Sequence, residues 1–488
     1  MKKEIIIIGS GFSALAASCY LAKSGNKVNI YEKNNTIGGR ARQLKRDGFT
    51  FDIGPTWYWM PDVFERFFSD FNKKPSDYYE LIKLSPAYQV YFGINEFVTI
   101  ADNLADIILT FESIEKGSGP KLESFMKEAQ SNYNIAIKDL VYRPGVSPLE
   151  LITFETAMKV NQFFSNISRD IRKRFKNKKL VQILEFPVLF LGAKPSDTPS
   201  FYSFMNFADF GLGTWHPKNG MYSVILAIES LAKELGVEIH TNSNVEKIIV
   251  EDGRASAVII DGKQIVADII LSGADYHHTE TLLDKKHRAY SEKYWETRVF
   301  APSSLLFYVG FDKKIINVEH HSLFFDVDFD LHAQDIYDNP KWPKNPLFYA
   351  SFPSKTDKNS APDGKEAAIF LIPLAPGLND TEELREEYFE KIMTRLEILT
   401  QQSLKNSVIF KQSFCVNDFI KDYNSYKGNA YGMANTLLQT AFLRPKLKSK
   451  KVENLYFTGQ LTVPGPGVPP ALISGKLVSD LIEKHTKI

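Results

Sequence analysis

Ile5 to Ile8 form an uninterrupted β-branched run, the pattern of a strand buried on both faces. Beyond a glycine-containing turn, Leu15, Ser18, Cys19 and Ala22 recur at helical spacing, which predicts a one-faced helix ending at Gly25. Lys27 to Tyr31 predicts a second strand. Asp62 to Phe210 has few glycines and long helical patterns. Asn219-Gly220-Met221 opens a predicted helix through Leu235, with Gly236 placed to end it. Strands follow at Val237 to His240, Val245 to Val250, Ser256 to Ile260 and Ala267 to Leu271, with Asp252-Gly253 as a hairpin signal. Ser303 to Gly310 and Ala367 to Pro373 read as strands, Pro353 to Gly364 as a loop and Thr381 to Leu399 as a helix. At the far end, the stretch from Asn454 reads as a buried strand, and a helix is predicted from Ala471. The fold class expected is α/β: a Rossmann-like parallel sheet with a mixed α+β part inserted in sequence.

Length, charge and cysteine count narrow this. At 488 residues the chain exceeds what one core usually fills, so two domains are expected. A net charge of +1 gives no field directed at nucleic acid, and no such partner is expected. Cys19 and Cys415 cannot build a disulfide framework, which points to a reducing, cytoplasmic setting. The uncharged stretch Ile5 to Ala22 is broken by Gly9, Ser10, Gly11 and Ser13, so it reads as folded structure rather than a leader. No other stretch is apolar for the ~18 residues a membrane span needs. No Cys or carboxylate spacing accompanies His277-His278 or His320-His321, and no metal site is expected. Arg169 to Lys179 holds seven basic residues and one acid, and runs into Leu180 to Leu184. Such a stretch suits an anionic membrane surface, or equally a solvated helix face beside a core helix.

The first turn carries chemistry. Gly9-Ser10-Gly11-Phe12-Ser13-Ala14 is a G-x-G-x-x-A turn between strand and helix. Gly9 permits the tight turn, Gly11 lets a pyrophosphate approach the backbone, and Ala14 lets helix and strand pack closely. The helix N-terminus offers free N–H groups and positive partial charge to phosphates. Glu32, closing the second strand, is placed to accept hydrogen bonds from both ribose hydroxyls and would repel a 2′-phosphate. These features alone leave FAD and NAD undecided.

Gly38-Gly39-Arg40-Ala41 extends the pattern to E-K-x-x-x-x-G-G-R-A. With it the chain resembles the FAD-dependent family of amine oxidases, protoporphyrinogen oxidases and carotenoid desaturases. Phe49 to Trp57 resembles the F-D-x-G-P-[ST] segment of bacterial carotenoid desaturases, and Asn454-Leu455-Tyr456 through Pro469 resembles N-L-Y-x-x-G…P-G-x-G-V-P, near a signature of the same group. Val463 stands where relatives often carry His, so a polar role there is lost.

The resemblance implies FAD as cofactor, held by Gly9, Gly11, Phe12, Ser13, Ala14, Glu32, Lys33, Gly38, Gly39, Arg40, Ala41, Gly54, Pro55, Thr56, Val245, Gly459, Gln460, Gly467, Val468 and Pro469. In the family the arginine meets phosphate, the residue matching Val245 pairs its backbone with adenine, and the last helix points at the flavin pyrimidine ring. Residues 1–61, 211–283 and 421–488 would bind FAD. Residues 62–210 and 284–420 would hold substrate, with membrane contact near 165–193. Trp57, Trp59 and Met60 are candidate substrate-cavity residues, or core. Asp139 and Arg143 are the catalytic candidates, each also readable as a surface charge. The expected reaction is desaturation of a C40 carotenoid at a peripheral membrane site, on phytoene or a 1-hydroxycarotenoid, with quinone or O2 as final acceptor. A flavin amine oxidase and a non-catalytic lipid binder like the GDP-dissociation inhibitors remain alternatives.

Overall fold

The computed structural model describes residues Lys2 to Thr486. Five parallel strands lie in the order Leu455–Phe457, Ile269–Ser272, Glu4–Ile8, Lys27–Tyr31, Glu238–His240. The opening strand is central, which explains why Ile5 to Ile8 are all buried. This sheet draws on the first and last parts of the chain and on a stretch near its middle.

The opening helix, Phe12–Lys23, is buried more widely than one face: Phe12 to Cys19 are all inside. The C-terminal helix Val468–Thr486 and the helix Tyr222–Glu234 both pack against it. Small residues permit the approach. A Cβ at Gly475 would come within 2.6 Å of the Ser13 carbonyl and 2.8 Å of the Ala16 Cβ. The last helix starts at Val468 rather than at Ala471, because Pro469 and Pro470 fit a first turn in which no N–H partner is needed.

A second, seven-stranded sheet runs Val408–Phe414, Ser303–Phe311, Glu366–Leu374, Phe348–Ser351, His321–Phe324, Tyr88–Gly93, Glu96–Ile100. Its pairs are antiparallel except that between His321–Phe324 and Tyr88–Gly93. The hairpin Val245–Glu251 with Arg254–Ile260 turns on Asp252 (φ 47°) and Gly253 (φ 78°), both left-handed as a two-residue primed turn requires. The 353–364 stretch is more ordered than a plain loop, containing the short turns Pro353–Lys355 and Lys358–Ser360.

Helix Ser118–Lys138 packs on the short helical turns between Ser200 and Gly211, and helix Ile167–Arg174 packs on Lys178–Glu185. Within 165–193 several of the basic side chains are paired and much of the apolar set is core. Arg172 pairs with Glu185 at 2.9 Å and Asp330 at 3.1 Å, Arg174 with Glu128 at 2.6 Å, and Lys179 with Glu96 at 2.6 Å. Ile167, Ile171, Leu180, Ile183 and Leu184 are core. The exposed apolar side chains lie just before this segment, among them Leu149, Ile152, Phe154, Met158 and Phe164.

Candidate active site

One cavity of about 830 Å³ runs from the opening βα turn to the second sheet and out to the surface. Gly9, Gly11, Phe12, Ser13, Glu32, Lys33, Gly38, Gly39, Arg40 and Ala41 line its first part. Gly54, Pro55, Thr56 and Val245 join them, with Gly459, Gln460, Gly467, Val468 and Pro469 from the far end of the chain. The two ends touch: a Cβ at Gly459 would lie 3.1 Å from the Ser13 hydroxyl. Ala14 does not line the cavity. It packs beneath the turn, where a Cβ on Gly273 would come within 2.7 Å of the Ala14 Cβ.

The turn is built for a close backbone neighbour. Gly9 is left-handed at φ 85°, and a Cβ on Gly11 would meet nothing within 4 Å, so the cavity opens directly on that backbone. No side chain caps the opening helix at Gly11. Its first amides are therefore available to an anion in the cavity.

Glu32 is buried and already well supplied with donors. Its carboxylate accepts from the Ser10 N–H at 3.0 Å and hydroxyl at 2.7 Å, and from the Asn34 N–H and side-chain amide, both at 2.9 Å. It thus locks the turn to the second strand. Arg40 donates to the Ser425 hydroxyl at 3.0 Å and the Asn429 carbonyl at 3.3 Å, and its guanidinium lies 5.0 Å over the Tyr423 ring. Its Nε is buried without a partner, and among the described residues no carboxylate forms an ion pair with it. Burial lowers its pKa, against the attraction of Asp275. A cation held this way, without an anionic partner, is a site for phosphate.

Several contributors were invisible in sequence. Asp52 accepts from the Met221 N–H at 2.7 Å and the Tyr222 N–H at 3.2 Å, capping the helix Tyr222–Glu234 from a distant segment. Gly220 is required beside it, since a Cβ there would meet the Asp52 carboxylate at 2.5 Å. Burial pushes Asp52 up to about 6. Asp275, Asp422 and Asn424 also line the cavity. Lys33 reaches over to the Lys421 carbonyl at 2.7 Å and Asn424 at 3.1 Å, fastening that segment across the cavity.

Beyond Thr56 the wall turns apolar and aromatic. Trp57, Trp59 and Met60 all line the cavity. Trp57 stacks on His321 with centroids 4.0 Å apart and meets Trp59 edge-on at 5.3 Å. The Tyr349 hydroxyl bonds the Thr56 hydroxyl at 2.8 Å and His321 Nδ1 at 2.6 Å. Burial holds His320 and His321 far below the usual imidazole range, so both are neutral core groups. His277 bonds Glu292 at 2.9 Å and His278 meets Asn424 at 3.0 Å. Among the described residues no group of three His, Cys, Asp or Glu is arranged to hold a metal.

Asp139 and Arg143 part company. Arg143 lines the cavity near its mouth, while Asp139 is 57 % exposed, lies off the wall and holds Arg143 at 2.5 Å. The short turn Leu140–Tyr142 between them sends one inward and leaves the other at the surface.

Residues 12–482 match the flavin containing amine oxidoreductase family. The chain is 38% identical over 484 residues to the carotenoid 3,4-desaturase of Haloarcula japonica, covering 98% of each chain. It is 30% identical over 489 residues to the zeta-carotene-forming phytoene desaturase of Myxococcus xanthus, covering 98% of this chain and 93% of that one. The chain belongs to this flavin family, in its carotenoid desaturase branch. A crystal structure of an oxidoreductase from Methanosarcina mazei shares the fold, with a TM-score of 0.65, 17% identity and coverage of 98% and 100%. As a member of the family the protein is an FAD-dependent oxidoreductase. The residues here fit that cofactor: an unhindered glycine turn, free helix amides and Arg40, which no carboxylate among the described residues pairs, all line one cavity.

Proposed function

We propose that the protein inserts carbon–carbon double bonds into a carotenoid, using FAD as the hydride acceptor. The observation that carries this is the single cavity joining the Gly9–Glu32 turn to a long apolar chamber. The opening turn and Arg40 would hold the diphosphate, Glu32 and Lys33 the ribose end, and Val245 the adenine. Gly54 to Thr56, Gly459, Gln460 and the helix start at Val468 would meet the ring system. On this reading 1–61, 211–283 and 421–488 bind cofactor, and 62–210 and 284–420 bind substrate.

Bound flavin supplies an acceptor for a hydride from one saturated carbon, and a proton leaves the neighbouring carbon. The chamber's role is to hold a flexible polyene in line and exclude water. Trp57, Trp59 and Phe186 give it flat apolar walls. Arg143 stands where the chain would enter.

An amine substrate fits less well. The acids on the cavity wall are Glu32, Asp275 and Asp422 at the dinucleotide end and Glu150 at the mouth, which leaves the chamber past Thr56 without a counter-ion for an ammonium. Lys33, the one lysine on the wall among the described residues, belongs to the ribose end. A purely lipid-binding role leaves the intact cofactor turn and the uncapped helix without a purpose.

The test is direct. Purified flavin-loaded protein in lipid is given phytoene, hydroxylated γ-carotene and simple amines, and products are followed by the longer-wavelength absorption of an extended polyene. Desaturated carotenoid is expected. Oxidation of the amines with both carotenoids untouched would end this reading. Repeating the assay with quinone and with O2 identifies the final acceptor.

A peripheral membrane site on the cytoplasmic side suits such a substrate. Among the described residues no helix is long and apolar enough to cross a membrane. Phe154, Phe164 and Leu438 are 77 %, 79 % and 76 % exposed, and Phe164 and Leu438 also line the cavity. The apolar rim is thus continuous with the chamber, as entry from a bilayer requires. Serine at these three positions together is expected to lower binding to phospholipid vesicles at least ~10-fold, at about 0.8 kcal/mol per buried CH2 lost. Vesicle co-sedimentation measures it, and unchanged binding by the folded triple variant removes the rim from the membrane contact.

A further inference from the structure

We propose that Lys285, Lys286, Lys446, Lys450 and Lys451 form a basic patch beside the cavity mouth that binds anionic phospholipid headgroups and so orients the mouth on a negatively charged leaflet. The proposal rests on the reading of the apolar rim as a membrane contact, and names the class of lipid that contact takes.

The two segments that carry these lysines lie side by side. The Lys451 Nζ donates to the Lys286 carbonyl at 3.4 Å, and the Lys446 N–H donates to the Tyr290 hydroxyl at 3.2 Å. Lys450 stands 4.7 Å over the same Tyr290 ring. Lys446 also ties the patch to the mouth, because its Nζ donates to the carbonyls of Gly145 and Phe442, both at 2.8 Å. Gly145 and Phe442 line the cavity, and the residues that follow them, Val146 and Leu443, are exposed apolar side chains. The basic patch therefore begins where the rim ends.

These charges are not neutralised within the chain. Lys285, Lys286, Lys450 and Lys451 are exposed and Lys446 is half-buried. Among the described residues none of the five forms an ion pair, and the flanking acids Asp284 and Glu453 pair with other bases, Lys247 at 3.4 Å and Arg254 at 2.6 Å. Glu150, the acid at the mouth, accepts from the backbone N–H groups of Gly145, Val146 and Ser147. The stretch 169–179 differs, since Arg172, Arg174 and Lys179 each hold a carboxylate.

A net charge of +1 gives the whole chain no general attraction to an anionic surface, so any such attraction is local and fixes an orientation. The lysine ammonium is a compact, hydrated charge on a flexible stem, which suits a diffuse headgroup layer. A nucleic acid would account for the lysines but not for the exposed apolar side chains beside them. A leaflet accounts for both, its headgroups for the patch and its acyl chains for the rim.

The experiment uses the flavin-loaded full chain and co-sedimentation with two kinds of vesicle, phosphatidylcholine alone and an equal mixture of phosphatidylcholine and phosphatidylglycerol. Wild type is expected to bind the anionic vesicles at least ~30-fold more tightly at low salt, at about 5-fold per lysine near the surface. The preference should vanish in about 1 M salt, where screening acts within ~3 Å. Replacing Lys285, Lys286, Lys450 and Lys451 together by Gln should abolish the preference. Binding to phosphatidylcholine, flavin content and Tm should stay as in wild type, because none of the four lines the cofactor cavity. A charge-matched control, Gln at Arg169, Lys173, Lys176 and Lys178, should keep the preference. Retained preference in the lysine variant, or an equal loss in the control, overturns the patch. So does tighter binding to a DNA duplex than to the anionic vesicles in the same buffer. Failure to bind either vesicle ends the membrane reading itself, whereas equal binding to the two ends this proposal alone.

Discussion

Gly54→Ala should purify without flavin and melt a few degrees below wild type. A Cβ at residue 54 would lie 2.1 Å from the Arg40 carbonyl oxygen and 3.1 Å from its carbon. Contacts of this kind do not occur below about 3 Å, so roughly 1 Å of backbone must give way. The parts that must move are the Gly39–Ala41 turn and the segment ending the strand Phe49–Asp52. Neither is free to do so. Gly38 accepts the Ala41 N–H at 2.9 Å and donates to Ser10 at 3.0 Å, and Gly39 sits over Gly11, where a Cβ would approach to 3.3 Å. Displacing this turn therefore disturbs Arg40 and the opening glycines together. A cost of about 2–3 kcal/mol is expected for the overpacking, which corresponds to a fall in Tm of roughly 2–3 °C in a chain of 488 residues. The ratio of flavin to protein absorbance and a thermal melt measure the two effects. Full flavin content at the wild-type Tm would mean that the close approach of Gly54 and Arg40 is unimportant.

The second large effect concerns pH. Asp209 is 2 % exposed, in the π-helical turn Phe207–Gly211. The Tyr88 hydroxyl donates to its carboxyl at 2.7 Å, and Tyr88 lies edge-on to Trp57 at 5.4 Å, so this carboxyl stands directly behind the chamber wall. Burial pushes it up to about 8, opposed by hydrogen bonds from Tyr88 and Thr214. The folded protein therefore binds this proton far more tightly than the unfolded chain, where the carboxyl titrates near its ordinary value of about 4. The resulting stability is fully present below about pH 4 and is lost as pH rises through about 8. Asp209→Asn keeps the shape and has no proton to lose. The two proteins should match within ~1 kcal/mol near pH 4, and wild type should fall behind by on the order of 4 kcal/mol by about pH 8. Chemical denaturation at both pH values provides the comparison. A stability difference that does not change with pH would show that Asp209 is ionised in the folded state across that range.

The cofactor turn was legible because its chemistry is local. A tight turn, an unhindered backbone and a helix N-terminus must be written in adjacent residues, and Gly9 to Ala14 with Glu32 supply them. Ala14 plays the packing part expected of it, beneath the turn and away from the cavity wall. The hairpin at Asp252-Gly253 was readable for the same reason, since left-handed backbone at two successive residues favours those types. Helix ends were less legible: nothing in the pattern distinguishes a start at Val468 from one at Ala471 when prolines occupy the first turn.

Non-local contributions left no mark in the sequence. Asp52 caps a helix that begins at Tyr222, and Asp275 attracts Arg40, only because separate segments meet. The basic stretch from Arg169 was ambiguous because its acids, Glu96, Glu128 and Asp330, come from three other elements. Asp139 and Arg143 looked equivalent, and the turn between them decided which one reaches the cavity.

The sequence by itself determined the cofactor class, because nucleotide binding depends on backbone freedom at a few neighbouring positions. Only the tertiary structure decided the chamber: which rings wall it and where it opens. Those properties arise from side chains far apart in the chain, whose burial and pairing exist only once the two sheets and the central helices have packed together.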